Sequence, residues 1–193
     1  MFQQNQKITP GGLLILNGII HGLGKRFHRF LETVGPYVIK ALDTTEDQIC
    51  TRLACGLISD ICNQLEELIA PNVHGFVDPV LKVLESNDYT LETKLFAIIS
   101  LGDLALAGEE SFYPFLDKSF NCLMTAGQVS LNTKSDEFDE DLKELLLKLR
   151  HQLVDSFTSV FHGITSKLHD MNGRSSQTRA QIEHRNKAES YAT

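Results

Sequence analysis

Apolar residues recur along this chain at helical spacing, in blocks of 12 to 20 divided by short polar breaks. Thr9-Pro10 opens the first block, with Thr as N-cap and Pro at the first helical position. It predicts a helix through GGLLILNGIIHGL to about Gly24. A second helix is expected from about Arg26 to Leu42, with a stripe at Phe27, Phe30, Leu31, Val34, Val38 and Leu42 and a kink at Pro36. Thr45-Glu46-Asp47-Gln48 fits a capping box, in which two side chains satisfy orphan backbone donors. It should open a helix from about Glu46 to Leu65, apolar over most of its circumference and therefore expected between neighbours. The next spans Pro71 to about Leu84. It buries Val73, Phe76, Val77, Val80 and Leu81 and turns His74, Asp78, Lys82 and Glu85 outward.

SNDYT, Ser86 to Thr90, reads as a turn. Two more helices follow, about Leu91–Leu106 and Phe112–Thr125. The polar stretch from Gly127 to Phe138 predicts a break. A long amphipathic helix then runs from about Asp139 to Lys167, with Leu142, Leu146, Leu149, Leu153, Phe157 and Val160 on one side. Beyond Asp170 apolar residues almost vanish.

These blocks repeat. ISD at Ile58–Asp60 is echoed by LGD at Leu101–Asp103, 43 residues on. Phe27, Ile69 and Phe112 mark one equivalent point in three successive units. A period of 42–43 with two helices per unit belongs to HEAT or armadillo solenoids. The expected fold is all-α, an α-α superhelix of about three and a half to four helix pairs. Its units are about 9–43, 44–86 and 87–127, with an incomplete one at 139–168. Residues 1–8 and 169–193 are expected to be disordered.

Composition narrows the function. A net charge of −7 argues against a nucleic-acid binder, which needs a basic face. The longest apolar runs, Gly11–Ile20 and Leu95–Ala107, are too short to cross a bilayer, so no membrane partner is expected. Cys50, Cys55, Cys62 and Cys122 form no C-x-x-C pair and read as small apolar residues. GIIHGLGKR lacks the phosphate-loop spacing, and no His pair has metalloprotease spacing. No catalytic, cofactor or metal site is expected, and no enzyme.

Two features remain. Asp60 and Asp103 follow the repeat period, as structural acids would and a catalytic pair would not. Such carboxylates accept hydrogen bonds from turn backbone or from the neighbouring unit. On the second helices, Asp78, Lys82 and Glu85 share a face, with Asp117 and Asn121 near the equivalent place in unit three. This strip is expected to dock a basic segment, since second helices line the concave surface on which solenoids hold extended partners. Shallow grooves between first helices are a second candidate surface.

GLISDICNQL (56–65), LGDLALAGEESFYPFL (101–116) and the acidic start of DEFDEDLKELLLKLRHQLVDSFTSVFHGI (136–164) together resemble the importin β family of nuclear import receptors. The similar region covers about Leu13 to Ile164 and matches the C-terminal third of that superhelix. The resemblance implies a protein-binding module for import into the nucleus, found in cytoplasm, nucleus and nuclear pore. It implies importin α or basic cargo on the concave face, phenylalanine-glycine nucleoporins between outer helices, and regulation by Ran-GTP, whose main site lies in repeats absent from this chain. The alternative is a HEAT scaffold for a complex outside transport.

Overall fold

The computed structural model describes residues 8–133, 139–162 and 165. The stretches expected to be disordered, 1–8 and 169–193, lie outside it apart from Ile8. Thr9 caps the first helix by accepting from the Gly12 N–H at 3.3 Å, and Pro10 takes the first helical position. The helices are α1 (Pro10–Leu23), α2 (Leu31–Leu42), α3 (Gln48–Leu65), α4 (Val73–Glu85), α5 (Leu91–Gly108), α6 (Leu116–Asn132) and α7 (140–162). There is no strand among the described residues. α1, α3 and α5 pack side by side in one layer, and α2, α4 and α6 in a second.

Each first helix turns into its partner by the same device. A residue with positive φ ends the helix: Gly24 at 52°, Glu66 at 51° and Glu109 at 46°. A seven-residue 3-10 segment follows in each case: Gly24–Phe30, Glu66–Asn72 and Glu109–Phe115. Its fourth residue is Phe27, Ile69 or Phe112, each buried. The period in the sequence is therefore the period of this elbow. Regular second helices begin later than the apolar pattern suggests, because the elbow takes up their first residues.

Positive φ costs little at Gly24 and more at the two glutamates, whose Cβ crowds the backbone. A Cβ at Gly24 would meet nothing nearer than Gln64 Oε1 at 3.7 Å, so substitution there is a backbone test. Gly24→Ala is expected to cost about 1–2 kcal/mol in urea denaturation. An unchanged midpoint would show that the elbow relaxes freely.

Two expectations need correction. Asp47, not Thr45, caps α3, accepting from the Cys50 N–H at 3.4 Å. Gln48 does not reach back to close a capping box. It reaches into the next unit, where its Oε1 accepts from the Thr90 N–H and the Thr93 hydroxyl, both at 2.9 Å. Its amide donates to the Asp88 carbonyl at 3.0 Å. The predicted break at Gly127 is also absent, since α6 continues to Asn132. Its polar last turns are held by α7: the Arg150 guanidinium donates to the Ser130 carbonyl at 2.7 Å. Packing here overrides weak local propensity.

Units are tied through their ends. Thr51 donates to the Thr44 carbonyl at 3.2 Å, serving the C-terminal side of α2. Tyr89, from the SNDYT turn, donates to the Leu42 carbonyl at 2.7 Å. α7 takes the place of a fourth first helix. Ser156 donates to the Ile98 carbonyl of α5 at 2.9 Å, and Phe157 packs on Phe120 of α6 with ring centroids 5.7 Å apart.

Candidate protein-binding surfaces

Asp60 is half-buried and answers the question its position in an apolar run raises. It accepts a hydrogen bond from the Asn17 amide and lies 3.5 Å from His21 Nε2, both on α1. Asn17, Asp60 and Asp103 stand one period apart, so the contact is side chain to side chain across the first-helix layer. Of the partners expected, the neighbouring unit supplies them and turn backbone does not. Asp60 and Asp103 line different grooves.

Burial raises the Asp103 carboxyl above its ordinary value of 3.8; the Ser59 hydroxyl alongside opposes this and the Asp60 charge adds to it. A raised native pKa means that the folded chain holds this proton more tightly than the unfolded one. Stability from this group is full below 3.8 and is lost as pH rises through the native pKa. Asp103→Asn removes that loss. Its melting temperature should exceed the parent's at pH 7, with the gap closing towards pH 3.5. A gap that widens on acidification would reverse the sign of the argument.

Asp78, Lys82, Glu85, Asp117 and Asn121 are all exposed on the second-helix layer. The structure divides them. Glu85 and Asn121 line a groove between α4 and α6, whereas Lys82 lines a separate one between α2 and α4, beside Pro79 and Tyr89. Lys118, absent from the expected strip, stands between its acids, 3.4 Å from Asp78 and 3.8 Å from Glu85. Both pairs are exposed and worth little to stability, but they reduce the negative field. A signal for Lys118 was present in the sequence. Opposite charges about one period apart pair repeatedly: Lys25 with Glu66 at 2.5 Å, Arg52 with Glu92 at 2.6 Å, and Lys118 with Asp78.

The first-helix layer carries a shallow groove of about 210 Å³ between α1 and α3. Leu14, Ile49, Leu53 and Phe96 line it, with Asn17 and Asp60 at its polar edge. Leu14, Ile49 and Phe96 are exposed. Flat apolar patches of this sort on a helical layer suit a short aromatic side chain from a partner. Among the described residues no group of His, Cys, Asp and Glu could hold a metal ion, and no helix is long and apolar enough to cross a membrane.

The family described as "Importin subunit beta-1-like, TPR repeats" matches residues 2–175. The chain belongs to this importin beta-1-like family. Importin subunit beta-1 of Arabidopsis thaliana is 26% identical over 152 residues, 78% of this chain and 17% of its own length. The Saccharomyces cerevisiae protein of the same name is 26% identical over 155 residues, 80% of this chain and 17% of its own length. The chain thus spans about a sixth of the length of these importin relatives. A solved importin beta superposes with a TM-score of 0.74 at 19% identity, covering 89% of this chain and 20% of that one. Yeast Kap95p, in a structure with RanGDP, superposes at 0.71 with 24% identity over 90% and 20%. Kap95 in complex with Nup1 superposes at 0.69 with 24% identity over 89% and 20%. These likenesses establish the α-α superhelix of the importin beta type.

Within the importin beta-1-like chain, sequence spacing found the acids of the second-helix strip and the existence of first-helix grooves. It did not find which apolar side chains stay exposed in those grooves. Helix packing sets that, and Ile49 and Phe96 have the same local pattern as buried neighbours.

Proposed function

We propose that this chain is a segment of a nuclear transport receptor that binds proteins on both helical layers. The family match across residues 2–175 carries the reading. On the second-helix layer, Asp78, Glu85, Asp117 and Asn121 would hold a basic segment of importin α or cargo, with Lys82 at its flank. On the first-helix layer, the groove at Leu14, Ile49 and Phe96 would take phenylalanine side chains of phenylalanine-glycine nucleoporins. The similarity to Kap95 structures with Nup1 and with RanGDP supports nucleoporin and Ran partners. Asp60 and Asp103 serve as structural acids between units. The chain works without a cofactor, in the cytoplasm and nucleus and at the nuclear pore.

The test is amide NMR of the chain titrated with a phenylalanine-glycine repeat peptide and, separately, with an arginine-rich importin α peptide. The first should shift residues around Ile49 with little salt dependence, and Ile49→Asp should weaken it by about tenfold or more. The second should shift residues around Asp78 and Asp117 and weaken steeply as salt rises. Absence of both at low salt would overturn the proposal.

A further inference from the structure

The groove between α4 and α6 that Glu85 and Asn121 line has a volume of about 460 Å³. It passes through the second-helix layer to the first, so Leu91 and Ile98 of α5 and Leu149 of α7 line it together with Val129 of α6. Its surface is largely apolar, and its size falls in the range that receives ligand side chains. Lys94, in the first turn of α5, also lines it and is half-buried. Among the described residues its ammonium makes no hydrogen bond and no ion pair, and burial lowers its pKa with no neighbouring charge to offset it.

Other cations without an ion pair among the described residues are exposed, as Arg26, Arg29, Lys40 and Lys82 are, or hydrogen-bonded, as Arg150 is to the Ser130 carbonyl. Lys118, the other amine on the groove, is held by Asp78 and Glu85. Lys94 has no acid within ion-pair distance, although Glu85 lines the same groove. A half-buried cation without a counter-charge weakens the fold. Departures from local consistency of this kind concentrate where a surface has work to do.

We propose that this groove binds an extended peptide segment in which an apolar side chain stands beside an acidic one. The apolar side chain packs on Leu91 and Val129, above the buried Ile98 and Leu149. The carboxylate meets Lys94 in a charge-assisted hydrogen bond. The exposed amides of Asn87 and Asn121 at the rim offer donors and acceptors to the peptide backbone. Lys118 is already paired with Asp78 and Glu85, and Glu85 also lines the groove, so Lys94 is the charge left for a ligand to meet. The site shares Glu85 and Asn121 with the basic-segment reading but turns on Lys94, so the Lys94 variants test it separately.

The test uses the whole chain and two fluorescein-labelled peptides. One has the sequence Gly-Asp-Leu-Glu-Phe-Gly, and the other carries Lys in place of both acids. Anisotropy should show the acidic peptide binding about tenfold more tightly than the basic one, with amide shifts at Leu91, Asn121 and Val129. Lys94→Met should weaken the acidic peptide about tenfold while raising Tm by about 2 °C, and Lys94→Arg should retain binding. Equal or absent binding of the two peptides would overturn the proposal. So would undiminished binding to Lys94→Met, or a Tm that falls in that variant, which would mean that the ammonium serves the fold.

Discussion

Phe112→Ala is expected to destabilise the chain by about 4 kcal/mol, measured as a shift of the urea midpoint at constant slope. Phe112 is 1% exposed and is the fourth residue of the elbow between α5 and α6. Its ring lies 6.2 Å from that of Phe115, which in turn meets His74 edge-on at 5.2 Å. Truncation removes the transfer energy of the ring and leaves a void that the 3-10 segment cannot close, since both its ends are fixed by helices. Phe27 and Ile69 occupy the same place in the earlier elbows and are equally buried. Phe115→Ala is a control, because that residue is only partly buried and should cost less. A cost below about 1 kcal/mol for Phe112→Ala would mean that the elbow is not a packing centre.

The second large effect is expected at Gly102. A Cβ placed there would lie 2.9 Å from Ser156 Oγ and 3.1 Å from Ser156 Cα. The hydroxyl could rotate away, but the Cα belongs to the backbone of α7, so the helix itself would have to move. Gly102→Val should therefore cost about 3 kcal/mol. The loss would fall on α7, whose Leu149, Leu153 and Val160 are buried against the preceding unit. Amide exchange in 140–162 should accelerate more than in α3. Gly56, on α3, has open space where its Cβ would be. Gly56→Ala should instead stabilise, by up to about 1 kcal/mol, through helix propensity. The opposite signs separate close helix approach from any general intolerance of substitution at glycine. Equal effects at the two sites would refute the contact as the cause.

Both predictions concern residues whose roles differ in how visible they were beforehand. Phe112 announces itself: it stands 43 residues from Ile69, which stands 42 from Phe27, and each follows an apolar block. Gly102 does not, because Gly56 has much the same helical surroundings and no close neighbour. The caps divide in the same way. Thr9-Pro10 acts as its local sequence indicates. Gln48 fits a local capping box equally well, yet the backbone donor it serves is that of Thr90, 42 residues away. A donor that close in space but that far in sequence enters no local pattern.

The candidate surfaces follow this division too. The sequence alone determined that the chain is a helical repeat with a period of 42–43 residues, and that acids recur on its second helices. Those properties rest on hydrogen-bond and burial periodicities that each segment carries by itself. Only the tertiary structure decided that Lys82 and Glu85 face different grooves, that Lys118 neutralises two acids of the strip, and that Lys94 is left without a counter-charge. The spacing between adjacent second helices settles these matters. That spacing is set by the summed packing of two layers, so no single stretch of sequence encodes it.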